Sequence, residues 1–337
     1  MRIPRIDFSG PTVVVLGAGA TRGASFVKPP ILPPLDTDFF TQAQRLPSGE
    51  QSRIMQKLMS QVTSIFGTNF KLTMEGFFTQ IEHLANVFDD YKSQGRPPDN
   101  PYRPVRPVFL QVLASVLHEA VGTEPECRYH RKMIERLGSS DAIISFNYDC
   151  VVDYNLKMFG DRRWNPNDGY GLACHKVDAR HWSPDTPVSD GRSLLLLKMH
   201  GSLNWKPYPP TRAGVKLRLK KRWWRQHGDV RFEIVPPEWN KETIRRGVYK
   251  AVWRRARERI RNCAAIVVIG FSMPVTDLPA QALFRVDAHK ARKLKLLVIA
   301  NPDPEVRRRI RDVFRRRTNP KTRIIVFDNF KDLGSFL

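Results

Sequence analysis

The stretch Val13-Val14-Val15-Leu16-Gly17-Ala18-Gly19-Ala20-Thr21-Arg22-Gly23-Ala24-Ser25 reads VVVLGAGATRGAS. An apolar, β-branched run empties into a glycine-rich turn, the pattern of a strand that delivers a phosphate-cradling loop. The spacing departs from the G-x-G-x-x-G fingerprint, because the third glycine, Gly23, comes one residue late. Prolines 29, 30, 33 and 34 follow closely, so the pattern predicts no helix opening after the loop.

The same kind of run recurs. AIISFN (142–147), LLLLKMHG (194–201), AIVVIG (265–270), LLVIAN (296–301) and RIIVFD (323–328) are each short, apolar and closed by a small or polar residue. Continuous apolar runs suit strands buried on both faces of a parallel sheet. Helical patterns lie between them; in 241–262, Ile244, Val248, Val252, Ala256 and Ile260 repeat every four positions. Alternating strand and helix gives an α/β class: a Rossmann-like, doubly wound, mainly parallel sheet of about six strands. The span 36–139 carries helical periodicity without a convincing strand, which predicts a mainly helical insertion after the first strand. The core is then 1–35 and 140–337, interrupted by irregular inserts at 160–193 and 206–240, the second of them basic.

Bulk composition narrows the class further. A chain of 337 residues with 41% hydrophobic and 10% aromatic content can bury a sizeable core. No apolar run reaches the roughly 20 residues a membrane span requires, and the N-terminus lacks a signal-like apolar region, so a cytoplasmic protein is expected. Cys127, Cys150, Cys174 and Cys263 form no CxxC pair, which argues against a zinc ribbon or a thioredoxin-like site, and no metal is expected. The net charge of +23 is concentrated partly in 217–232 and 307–323. Such charge suits nucleic acid or an acidic partner. Equally, Val306, Ile310 and Val313 fall at helical spacing, so the second segment reads as the solvated face of an amphipathic helix.

In an open parallel sheet, ligands bind beyond the carboxyl ends of the strands. The residues that follow the runs are Gly17-Ala18-Gly19, Asn147-Tyr148-Asp149, His200-Gly201-Ser202, Gly270-Phe271-Ser272 and Asn301-Pro302-Asp303. Singly, each has a plain structural explanation: glycines that end strands, helix caps at Asp149 and Asp303, a turn histidine, a turn before Pro274. Their shared position is the signal.

Taken in this order, GAGA (17–20), FNYD (146–149), KMHGS (198–202), GFS (270–272) and AN (300–301) resemble the Sir2 family, and within it the SIR2-like proteins of bacterial antiphage defence; VPPEWNK (235–241) looks typical of that branch. The resemblance implies NAD as substrate. Backbone amides of Gly17, Ala18, Gly19 and Ala20, with Thr21 beside them, would approach the pyrophosphate. Gly270 and Ser272 would line phosphate and ribose, and Asn301 with Asp303 the adenosine ribose. Asn147 would hold an attacking water, His200 would contact ribose hydroxyls or act as general base, and Asp149 would orient Asn147 or the nicotinamide amide. The zinc module with its two CxxC pairs is missing, and GAGATRGASFVKPP lacks the Asp-Phe-Arg continuation of the protein-deacylating sirtuins. Water then becomes the nucleophile, giving an NAD glycohydrolase that depletes NAD, as a homo-oligomer or with a defence partner. The alternatives are a catalytically silent nucleotide-binding module acting through nucleic acid or a partner, and an NAD-dependent deacylase. A hydride-transferring dehydrogenase is disfavoured by the glycine spacing and the missing helix.

Overall fold

The structure, a computed structural model, describes residues 6, 8–90, 100–187, 193–206, 216–221, 223, 233–235, 247–274, 276–287, 293–315 and 322–337. Six of the apolar runs are strands: β1 (Thr12–Leu16), β2 (Ala142–Ser145), β3 (Leu195–Lys198), β4 (Ala265–Ile269), β5 (Leu296–Ala300) and β6 (Arg323–Phe327). They form one sheet in the order β6-β5-β4-β1-β2-β3, with every neighbouring pair parallel. The four inner strands are almost fully buried, as continuous Val/Ile/Leu runs require. The edge strand β6 departs from that rule, with Arg323 and Val326 exposed and Ile324 and Ile325 only half-buried. The order reverses between β1 and β4, so a crevice opens beyond their carboxyl ends.

The helices include α1 (Ala18–Arg22), α2 (Phe39–Ala43), α3 (Glu50–Phe66), α4 (Met74–Asp90), α5 (Val105–Val121), α6 (Arg128–Glu135), α7 (Val151–Phe159), α8 (Gly247–Asn262), α9 (Leu278–Ala282), α10 (Pro304–Arg315) and α11 (Phe330–Gly334). No strand interrupts the described residues between β1 and β2, where α2 to α6 follow one another. Helix α5 is apolar nearly all round and is the core of that stretch, burying Val108, Phe109, Val112, Leu113 and Val116 among others. The Phe109 ring meets Phe39, Phe77 and Phe78 at centroid separations of 5.3, 5.6 and 5.1 Å, which ties α2 and α4 to α5. In α8, Val248, Val252, Ala256 and Ile260 form the expected buried stripe, joined by Tyr249 and Trp253. Ile244 lies outside the described residues.

Helix α10 buries Val306, Ile310 and Phe314 and exposes Arg308, Arg309 and Arg311, so its arginines are the solvated face of an amphipathic helix. Most of the other basic segment, 217–232, lies outside the described residues, as do 236–241 of VPPEWNK. Small elements cover the β3 edge: a three-stranded sheet of Ala173–Cys174, Lys216–Leu219 and Trp205–Lys206, and a pair of Gly201–Ser202 with Glu233–Ile234. All four cysteines are buried free thiols. No helix among the described residues is long and apolar enough to cross a membrane.

One feature contradicts the sequence reading. A helix does open at the glycine loop: α1 begins at Ala18 and lasts five residues to Arg22, with Gly23 as its C-cap. Glycine at its cap and the small residues Ala18, Gly19 and Ala20 allow the chain to coil tightly against the sheet, and the prolines act only later. The proline-rich stretch that follows is tied to α1. The Arg22 guanidinium on α1 donates to the Pro33 carbonyl at 2.8 Å and pairs with Asp38 at 2.7 Å, pinning it down.

The run LLLLKMHG hides a further surprise. Lys198 is 1% exposed, and its ammonium donates to the Asp149 carbonyl and, at 3.2 Å, to Asp153 Oδ2. Asp153, on the first turn of α7, is fully buried and also accepts from the Tyr170 hydroxyl at 2.6 Å and from Asn204 at 3.3 Å. Burial disfavours the Lys198 charge, but Asp153 and its anionic surroundings outweigh it and raise the lysine pKa. Burial and then Asp153 push the Tyr170 phenol well up, so it stays a donor.

Removing one partner of such a pair strands the other as an uncompensated buried charge. Lys198→Met is expected to cost about 3–5 kcal/mol, whereas the double change with Asp153→Leu should cost clearly less. Denaturant unfolding of the three proteins checks this.

Candidate functional site

The loops that leave β1, β2, β3, β4 and β5 meet in one cleft of about 480 Å³. Its lining includes Gly17, Ala18, Gly19, Thr21, Asn147, Asp149, His200, Gly270, Ser272, Asn301 and Asp303. These are eleven of the twelve residues singled out from sequence. Ala20 does not line it; its side chain is fully buried beneath the loop. The opposite wall comes from the helical stretch, through Pro33–Thr37, Met74 and Glu75, Leu113 and Leu117.

The glycines here answer first to one another. A Cβ on Gly17 would fall 2.5 Å from Phe271 Cα, and one on Gly19 would fall 2.8 Å from Gly270 Cα. A Cβ on Gly270, whose φ is +57°, would sit 2.1 Å from the Ala20 nitrogen. The loops after β1 and β4 therefore touch backbone to backbone, with the Gly17 and Gly19 amides donating to the Ile269 and Gly270 carbonyls at 3.1 and 2.9 Å. The Ala20 amide donates to the Gly17 carbonyl at 2.9 Å. This corrects the expectation that all four amides of Gly17–Ala20 approach a diphosphate: three are committed inside the protein, and Ala18, exposed at the head of α1, is the one that remains.

At the end of β2, Asn147 and Asp149 are linked through Thr21. The Asn147 Nδ2 group donates to the Gly17 carbonyl at 3.0 Å and to Thr21 Oγ1 at 3.1 Å. Thr21 sends its single hydroxyl proton to Asp149 Oδ2 at 2.8 Å, so toward Asn147 it can only accept. With both Nδ2 protons used, Asn147 has its Oδ1 left for the cleft, an acceptor for a hydroxyl or a water. Asp149 Oδ1 takes the Val151 amide at 3.0 Å, so this carboxylate both caps α7 and sets the polarity of the chain of bonds. Lys198 holds the Asp149 carbonyl from behind. The capping role and the site role coexist.

Beyond β3, His200 is 7% exposed and lies edge-on to Phe146 at 5.3 Å. Phe146 is stacked on Phe271 with centroids 4.3 Å apart, so two aromatic faces flank the histidine end of the cleft. At the β5 end, Asn301 Oδ1 accepts from the Asp303 amide at 3.0 Å, and Asp303 Oδ1 caps α10 by accepting from the Glu305 amide at 2.8 Å. Ser272, Pro302 and Val306 complete that end, where Arg309 on α10 donates to the Ser272 carbonyl at 3.1 Å.

Sequence reasoning missed Asp277, Glu75, Lys198, Asp153 and the Phe146–Phe271 stack. The lysine sat inside an apolar run, and the acidic pair came from segments with no recognisable motif; only Asp277, five residues after Ser272, lay close enough to a chosen motif to be found. Among the described residues, no Lys or Arg lines the cleft, although the chain carries 56; the charged lining they supply is Asp36, Glu75, Asp149, Asp277 and Asp303. Such a cavity favours positive charge on a bound or reacting group. Among the described residues, no cluster of three or more His, Cys, Asp or Glu side chains is arranged to hold a metal ion.

No family model and no curated protein sequence matches the chain. Among solved structures, one described as "Structural Basis for the Mechanism and Regulation of Sir2 Enzymes" aligns over 90% of this chain and 92% of that chain, at 15% identity and a TM-score of 0.29. At that score the alignment carries no argument about this protein.

The steric role of the glycines is directly testable. Gly270→Ala should lower stability by at least about 1–3 kcal/mol through overpacking and strain. Gly138→Ala, where the nearest atom to a new Cβ is 3.8 Å away, should stay within about 0.5 kcal/mol of the parent. Thermal unfolding of both variants gives the comparison.

Proposed function

We propose that the chain is a SIR2-like NAD glycohydrolase, cleaving NAD to nicotinamide and ADP-ribose. One observation carries the reading: Asn147, with its amide oxygen left as an acceptor, and His200 converge on a cleft at the ends of adjacent parallel strands, beside the Gly17–Gly19 and Gly270 turns. A dinucleotide would run across the strand ends, with its adenosine ribose near Asn301 and Asp303 and its nicotinamide ribose near Asn147 and His200. Its diphosphate would rest on N–H and hydroxyl groups, since no basic side chain among the described residues lines the cleft.

In the reaction, a water held by Asn147 Oδ1 attacks the anomeric carbon of the nicotinamide ribose. The new C–O bond forms as the C–N bond breaks, and the bonding pair neutralises the nicotinamide ring. The water's proton passes to His200. Positive charge on the ribose in the transition state is favoured by the acidic lining. Water is the acceptor in this reading because the chain lacks the paired CxxC module of the deacylating sirtuins. The setting implied by the resemblance is depletion of NAD in antiviral defence.

Incubation of the purified protein with NAD should yield nicotinamide and ADP-ribose by mass spectrometry. Asn147→Ala and His200→Ala should each slow the reaction by on the order of 100-fold or more. Undiminished NAD loss in both variants would sink the proposal.

A further inference from the structure

Asp277 follows β4 by eight positions and is 2% exposed. Its Oδ1 caps α9 by accepting from the Ala280 amide at 3.1 Å, while its Oδ2 lies 3.1 Å from Nε2 of His200. The two atoms face each other without an aligned hydrogen bond, since Nε2 is buried and has no aligned acceptor. The carboxylate is thus anchored by one oxygen and presents the other to the imidazole. Its surroundings are tied down on both sides: Thr276 donates to Glu75 on α4, and Gln281 to the Pro274 carbonyl at 3.0 Å.

We propose that Asp277 is the positioning residue of His200. A neutral imidazole carries one proton, and a carboxylate at Nε2 favours that proton there, so the lone pair is placed on Nδ1. Phe146 stands edge-on to the ring and offers it no polar partner, so the Asp277 carboxylate sets which nitrogen serves the cleft. When Nδ1 takes the proton of the attacking water, the imidazolium forms beside a buried anion that needs no solvent to reorganise. Asp277 exchanges no proton in this step. The inference rests on the glycohydrolase reading for its kinetics, but not for its chemistry of the ring.

Asp277→Asn is the decisive variant, because asparagine caps a helix as well as aspartate does and removes only the charge. With NAD as the probe, kcat should fall by on the order of 100-fold while KM moves less than about threefold. Asp277→Ser keeps a cap but cannot reach the ring, and should lose as much. Unchanged kcat in the asparagine variant overturns the inference, as does a loss that merely follows the unfolded fraction. Long-range nitrogen–proton NMR of the histidine rings, with the His200 signals identified from His200→Ala, should show the Nε2–H form in the wild type and its depletion in Asp277→Asn. Identical ring spectra overturn the inference. If the wild type consumes no NAD, the glycohydrolase reading fails by itself, and the ring spectra still decide the role of Asp277.

Discussion

The contact between two backbones, Gly17–Ala20 against Gly270, is the constraint from which the rest of this site follows. It lets the loops after β1 and β4 close to hydrogen-bonding distance at the point where the strand order reverses. That closeness shuts the floor of the crevice and turns α1 so that Thr21 faces β2. Thr21 then reaches Asn147 and Asp149, and the polarity of that small chain of bonds leaves the asparagine oxygen for a ligand. A side chain at any of the three glycines would part the loops, and every later link would shift with them.

Behind this front row stands a second, buried one. Lys198, Asp153, Tyr170 and Asn204 form a polar knot within an apolar core, and the lysine grips the backbone of Asp149. Buried ion pairs seldom add net stability over an apolar replacement, so their use here is better understood as fixing one geometry. The rigid sheet supplies positions good to a strand register, and the knot supplies the finer placement of the turn that follows β2. On the other side, α4 and α5 complete the cleft with Met74, Leu113, Leu117 and the carboxylate of Glu75, held by the phenylalanine cluster.

Much of the architecture was legible because it depends on repeating local patterns. Six apolar runs gave six parallel strands, and the residues closing five of them came together, since parallel strands bring their carboxyl ends to one edge. What escaped notice depended on partners distant in sequence. Lys198 went unremarked within LLLLKMHG because its counter-ion, Asp153, lies 45 residues away. The role of the glycines was read as room for a ligand, when the atoms that exclude a Cβ come from another loop some 250 residues along. The short helix that opens within GAGA was missed because Pro29, seven residues beyond its end, was allowed to speak for residues it does not touch. Asp277 had no motif of its own; only the folded loop carries it to His200.

The distribution of charge has a consequence of its own. The chain carries a formal charge of +23, yet among the described residues its cleft is lined by carboxylates and by no basic side chain. Inside and outside therefore present opposite faces to ions. Polyanions drawn to the exterior find no counter-charge within, so they would crowd the surface without occupying the cavity. Dissolved salt, which weakens interactions across a Debye length of about 8–10 Å, would loosen that outer attraction first. Carboxylates buried against their partners would feel it least, which uncouples what the protein attracts from what its cleft can stabilise.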